Sequence, residues 1–238
     1  MTRRRPAVTA FWAERLGCPV SAFEKPGLTL APHPRQAAVY VVAVDSAVVV
    51  LAPESLHARF RAAADPRVWL TPEALRPLLP PGAKLVGPAR IAYLHRALGA
   101  PDGVERLESA SDSRLGRLRE RVTAEEWQHA NLEGHEPLFA CLVDCEIAAA
   151  SDFERLAERV AHIGVLTDPR HRGRGLGRVV VQAAAAHALA LGLLPQYQTL
   201  ASNAPALRIA ESLGFEPFAV TLAARWSDIL EPGGAHGQ

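Results

Sequence analysis

The run Ile163-Gly-Val-Leu-Thr-Asp-Pro-Arg-His-Arg172-Gly-Arg-Gly-Leu-Gly177-Arg-Val-Val-Val-Gln-Ala-Ala-Ala-Ala-His-Ala-Leu-Ala-Leu191 decides the fold. Val160 to Thr167 reads as a strand, stopped by Asp168-Pro169 because proline cannot donate to a strand ladder. A glycine-rich loop follows. Arg178 to Leu191 then reads as a helix, apolar almost throughout and closed by Gly192. Gly173, Gly175 and Gly177 let the backbone turn tightly with its N–H groups pointing inward. Such a loop leading into a helix N-terminus is an anion cradle. Arg172, Arg174 and Arg178 add positive charge, so the expected ligand is a phosphate or pyrophosphate. A P-loop would need a Lys after its second glycine, and none follows here. A dinucleotide fingerprint needs Gly-x-Gly-x-x-Gly, whereas the spacing here is Gly-x-Gly-x-Gly.

Strands flank this unit on both sides. Leu138 to Val143 reads as a strand, Asp144-Cys145 as a tight turn and Glu146 to Ala150 as the returning strand. Thr123-Ala-Glu-Glu126 reads as a capping box opening a short helix through Trp127. Downstream, a strand is expected from about Tyr197 to Ser202. A helix runs from Asn203-Ala-Pro205 to Leu213, ended by Gly214, and a last strand from Phe218 to Trp226. Before residue 105 the pattern is less regular. Phe11 to Leu16 looks helical, and Pro-rich polar sequence follows up to Gln36. Ala38 to Val44 and Ala47 to Leu51 form a hairpin about Asp45-Ser46. Pro53 to Ala64 and Thr71 to Leu79 are helix candidates, the second with a Thr cap and Pro at its first position. Lys84 to Tyr93 is again strand-like.

The turn cluster Gly99-Ala-Pro-Asp-Gly103 marks a boundary. The expected organisation is an N-terminal α/β domain over 1–104, a second domain over 105–230, and a disordered tail over 231–238. At 238 residues the chain buries roughly 70% of its unfolded surface and builds a real core. Hydrophobic residues at 49% and charged residues at 21% exclude a disordered chain. A net charge of +1 gives no electrostatic reason to expect nucleic acid or an anionic membrane as partner. The tip Arg3 to Arg5 is too short to change that. No signal-peptide apolar region forms, since Glu14 and Arg15 break it, and Val179 to Leu194 is too short to span a bilayer. Cys18, Cys141 and Cys145 are too few for a disulfide framework, so a reducing, cytoplasmic setting is expected. Cys141 and Cys145 have no His or Cys near at zinc spacing, so no metal site is expected.

The pattern Arg172-x-x-Gly175-x-Gly177 resembles the acyl-CoA pyrophosphate loop of the GCN5-related N-acetyltransferases, the GNAT superfamily. The resemblance extends to Ile163-Gly-Val-Leu-Thr-Asp-Pro169 as that family's central strand, to Asn203-x-x-Ala206, and to Leu213-Gly-Phe215, in the family's order. It covers about Leu138 to Trp226. It implies a mixed, splayed α/β (α+β) sheet with helices on both faces. The N-terminal domain would then be a degenerate GNAT-like copy or an unrelated cap. It implies acetyl-CoA as cosubstrate and transfer of an acetyl group to a primary amine by direct attack in a ternary complex. The cradle would be Arg172, Gly173, Arg174, Gly175, Leu176, Gly177 and Arg178. Val165, Leu166 and Thr167 would hold the pantetheine arm, and Asn203 would donate to it while also capping its helix.

Many relatives carry a Glu on the central strand where this chain has His162, a competent base near pH 7. Glu158 and Asp152 are the other candidates. Gln198 stands where some relatives place a second Glu, and an amide cannot take the proton. The usual tyrosine acid position is Ala210; Tyr197 or Ser212 are possible substitutes. That departure keeps a second reading open, a CoA-binding regulatory or interaction module that has lost catalysis. Trp127 and His187 read as packing residues, and His129 and His135 as solvated residues beside a loop. The acceptor, a small-molecule or a protein or peptide amine, has no transferable code in sequence. A monomer or homodimer is expected.

Overall fold

A computed structural model describes residues 5–33, 37–107, 112–132 and 137–226. His135, the tips Arg3 and Arg4, and the tail 231–238 lie outside the described residues. In chain order the elements are α1 (Arg5–Leu16), β1 (Gly27–Pro32), β2 (Ala38–Val44), β3 (Ala47–Ala52), α2 (His57–Arg61), α3 (Pro72–Leu75), β4 (Lys84–Tyr93) and β5 (Glu105–Leu107). Then come α4 (Ser113–Arg119), α5 (Ala124–Ala130), β6 (Leu138–Val143), β7 (Glu146–Leu156), β8 (Val160–Thr167), α6 (Leu176–Ala190), β9 (Leu194–Leu200), α7 (Ala204–Leu213) and β10 (Glu216–Arg225).

The chain divides into two compact units, Met1–Arg90 with Phe218–Gln238, and Ile91–Pro217. The division differs from the boundary drawn at 104/105. Residues 91–104 pack with the second unit, and Phe218 onward returns to the first because β10 pairs antiparallel with β2, Val220 opposite Ala43 and Arg225 opposite Ala38. In the first unit the β2–β3 hairpin forms as expected, turning at Asp45 with φ of 50°. Its Val-rich strands are buried along their length. β1 pairs in parallel with β3, so this sheet too is mixed. The predicted helix over Thr71–Leu79 is cut short: Thr71 caps Ala74, but Pro77 ends the α-helix at Leu75 and a 3₁₀ turn follows.

In the second unit the order is β9-β8-β7-β6-β5, with β8 and β9 parallel and the other pairs antiparallel. Helix α6 covers one face. Val181, Ala184, Ala185 and Ala188 bury against Phe139, Phe153, Ala161 and Ile163. Helices α4 and α5 supply a second cluster, in which Leu118, Trp127 and Ala130 bury with Leu138, Ile147 and Leu166. Alternate residues of β8 thus serve two cores, the period-2 signature of a strand covered on both faces. The helix after the loop starts at Leu176, two residues earlier than the sequence pattern suggested. Among the described residues no helix is long and apolar enough to cross a membrane.

Candidate active site

The parallel pairing of β8 and β9 starts at Val160 opposite Leu194 and stops at Ile163 opposite Tyr197. Both strands continue, to Thr167 and Leu200, without pairing further. The splay expected of the central strand is therefore present. Val165, Leu166 and Thr167 stay in register with Ser151, Ala150 and Ala149 of β7, so their other edge faces the gap.

A rigid corner leads from β8 into the loop. The Asp168 carboxylate, fully buried, accepts from the Arg170 N–H at 2.9 Å and its guanidinium at 2.7 Å, and from Arg121 at 3.3 Å. The Asp168 N–H donates to the Ala148 carbonyl at 2.9 Å. These bonds, Arg170 first among them, hold the Asp168 carboxyl well below the usual carboxylate range.

Gly173 and Gly175 then take φ of 78° and 81°, the left-handed region that glycine enters without steric cost. No backbone hydrogen bond is described for the N–H groups of Gly173, Arg174, Gly175, Leu176 and Gly177. The Arg178 N–H turns back to the Gly175 carbonyl at 3.1 Å. Gly177 is required by packing instead. A Cβ there would stand 2.9 Å from Thr167 Oγ1 and 3.3 Å from Ile209 Cδ1, where the end of β8, α6 and α7 converge. Arg174 and Arg178 are exposed. Arg172 is committed: its guanidinium donates to Glu126 at 2.6 Å, tying the loop to the capping box of α5.

Asn203 caps α7, accepting from the Ala206 N–H at 3.2 Å through its side-chain oxygen, and Gly214 closes that helix in the left-handed conformation. The half-buried imidazole of His162 lies one residue before the last paired position. Its Nδ1 is 2.9 Å from Gln196 Oε1. His162 faces Glu154 in the β7–β8 register, and Gly164 faces Asp152. Asp152 is fully buried, and that burial pushes its pKa up to about 8. Glu158 sits in the β7–β8 turn with a left-handed φ, paired with Arg155 at 3.7 Å.

Ala210 is buried. Of its possible substitutes, Ser212 donates its hydroxyl back to the Ile209 carbonyl. The Tyr197 ring packs against Phe215 with centroids 5.6 Å apart, and its buried hydroxyl has no hydrogen-bond partner among the described residues. Trp127 is a core residue with the Arg119 guanidinium 5.2 Å from its ring, and His187 packs between Phe139 and Phe153. His129 is exposed. Cys141 is buried in β6 while Cys145 is exposed in the following turn. Sequence reading missed Gln196, Arg121 and Glu126 as site residues. Their partners lie 34, 47 and 46 positions away, and no local pattern announces them.

Asp152 and Asp168 give opposite pH dependences. The raised pKa of Asp152 means that the folded chain binds its proton between about pH 4 and 8 while the unfolded chain does not, so stability from this group falls as pH rises through that window. Asp168, with its lowered pKa, contributes stability above about pH 4 that is lost on acidification. Asp152→Asn should therefore gain on the wild type as pH rises from 5 to 9 in denaturant melts. A gap independent of pH would contradict the burial account.

A glycine-rich loop opening a helix is thus set beside a splayed parallel pair in a mixed α/β sheet. Residues 104–215 match the acetyltransferase (GNAT) family model. Similar solved structures include a GNAT-family protein from Novosphingobium aromaticivorans DSM 12444, with 26% identity over 62% of this chain and 69% of that one and a TM-score of 0.49. A GNAT-family acetyltransferase from Colwellia psychrerythraea has 15% identity over 60% and 57%, TM-score 0.48. A GCN5-related N-acetyltransferase from Sphaerobacter thermophilus has 14% identity over 94% and 92%, TM-score 0.47. No curated protein matches the chain.

Proposed function

We propose that the chain is an acetyl-CoA-dependent N-acetyltransferase acting on a primary amine, with both substrates bound together. The observation that carries this reading is the loop itself. Five successive N–H groups, 173 to 177, without backbone partners among the described residues, open a helix directly beside the strand separation. Acyl-CoA fits these residues: its pyrophosphate suits the amides with Arg174 and Arg178 at the rim, its extended arm suits the edge of Val165, Leu166 and Thr167, and Asn203 at the start of α7 would donate to that arm. Bound acetyl-CoA supplies an activated thioester carbonyl.

The chain's own groups then have two tasks. The amides and the strand edge hold the thioester in place, and positioning of this kind supplies much of the rate. His162 accepts the proton from the amine nitrogen as that nitrogen bonds to the carbonyl carbon; the carbon–sulfur bond then breaks, and CoA leaves as its thiolate, which takes a proton from solvent. No cysteine among the described residues of the second unit lines the splay: Cys141 is enclosed in β6 and Cys145 lies in a turn. That supports direct transfer over an acyl-enzyme. The mixed sheet of the first unit supports its reading as a degenerate copy of the same fold. Buried Ala210 in place of a hydroxyl donor is the feature that favours the alternative, a CoA-binding module without catalysis.

The base assignment predicts that kcat/KM rises through an apparent pKa near that of imidazole, about 6.5. His162→Gln should lower the rate by about 10²–10⁴-fold and leave acetyl-CoA affinity unchanged. Steady-state rates across pH 5–9 check this. Full activity of the variant with an unchanged profile removes His162 from the mechanism.

A further inference from the structure

We infer that Gln196 is a positioning residue, itself hydrogen-bonded to Tyr93, that holds His162 as the Nδ1–H tautomer and so makes Nε2 the proton-accepting nitrogen. The inference rests on the base role proposed for His162. Gln196 and Tyr93 are 2% and 1% exposed, so neither can trade a lost hydrogen bond for water. The Gln196 Nε2 donates to the Tyr93 hydroxyl at 2.5 Å, which leaves Oε1 against His162 Nδ1 at 2.9 Å. An amide oxygen only accepts, so Nδ1 carries the proton. A neutral imidazole has one N–H, and Nε2 is then the acceptor nitrogen.

The direction of this relay also suits a base that changes charge each turnover. When His162 takes up a proton, Nδ1–H still points at an oxygen and the bond strengthens with the charge. An amide turned end for end would set its NH₂ against the Nδ1–H of the imidazolium, two donors face to face. Only the observed orientation serves both protonation states. The backbone holds the relay in place. His162 is opposite Gln196 in the parallel register, and the Leu94 N–H donates to the Pro195 carbonyl at 3.0 Å, which seats Tyr93 beside β9.

Several other groups face the imidazole or the elements that carry it. From β7 come Glu154, opposite His162 and bonded to Asn131 at 3.4 Å, and the buried Asp152. Beyond Gln196 stands Tyr93, with the His95 ring stacked 6.5 Å away. Helix α5, which packs on β8, carries Glu126, held by Arg172, and the exposed Glu125 and His129. The Gln196 amide is neutral and sets the tautomer.

Long-range ¹H–¹⁵N spectra of the ¹⁵N-labelled full chain, with the His162 signals identified by their loss in His162→Gln, read the tautomer directly. The expected result is a pyrrole-type Nδ1 and a pyridine-type Nε2 in the neutral state. A neutral His162 protonated at Nε2 overturns the inference. Gln196→Glu keeps an acceptor at Nδ1 and should move the acid limb of the pH–rate profile upward by about one unit or more with the tautomer retained. Gln196→Met should lower kcat by about 10-fold or more with KM for acetyl-CoA unchanged. Wild-type kcat and pH profile in Gln196→Met also overturn the inference. If Gln196→Met does not fold, the wild-type spectrum and Gln196→Glu still decide. The spectra need no turnover, so absence of acetyl transfer by the wild type counts against the proposed function and not against the tautomer.

Discussion

Gly164→Ala is expected to destabilise the second unit by about 3 kcal/mol or more, beyond the usual range for one added methyl in a packed interior. A Cβ at this position would overlap the Ala130 carbonyl oxygen of α5 and lie 3.2 Å from Asp152 Oδ1. The first obstacle is backbone, and α5 is pinned by its capping box and by the Glu126–Arg172 pair, so it cannot retreat cheaply. In a thermal melt the loss corresponds to roughly 6–12 °C for a chain of this size. Gly116→Ala is the matched control, since a Cβ there meets nothing within 4 Å and α4 gains a better helix former. A Gly164→Ala protein melting with the wild type would mean that α5 does not press on β8 as described.

Gly175→Asp is expected to weaken acetyl-CoA binding by about 10²-fold or more while costing the fold only about 1–2 kcal/mol. The two effects separate because nothing lies within 4 Å of a Cβ at Gly175, so its penalty in the free protein is the left-handed φ of 81° alone. In the complex, the same carboxylate would stand among the amides 173 to 177 and oppose a pyrophosphate there. Gly175→Ala carries the backbone penalty without the charge and should fall between. Calorimetric titration of the three proteins orders them. Equal affinities in folded variants would reduce the loop to a turn.

Much of the second unit was legible because its signals are local. Strands β6 and β8 were read with their observed bounds, the capping box at Thr123 formed, and Asn203 and Gly214 closed α7 as read. Each depends on a few neighbouring residues whose backbone preferences agree. α4 was missed because Ser113-Arg-Leu-Gly-Arg-Leu-Arg119 interrupts its apolar face with Gly116 and is capped only through Asp112. β1 was missed because Gly27-Leu-Thr-Leu-Ala-Pro32 sits among prolines and is secured by parallel pairing with a strand some twenty residues on. The return of β10 to β2 joins residues about 180 positions apart, and no window of sequence records it. The site divides in the same way. The glycines and Asp168 are a contiguous motif. The relay from His162 through Gln196 to Tyr93 spans three strands and exists only once β8 and β9 are aligned.

The most direct test of the account is release of free thiol from acetyl-CoA by the full chain, followed with a panel of primary amines and checked by mass spectrometry of the amines. The account predicts one thiol released for each acetyl group gained by an amine, with the rate per acetyl-CoA collapsing in Gly175→Asp. Tight binding of acetyl-CoA with no thiol release across the panel would contradict it and leave a CoA-binding module in place of an enzyme.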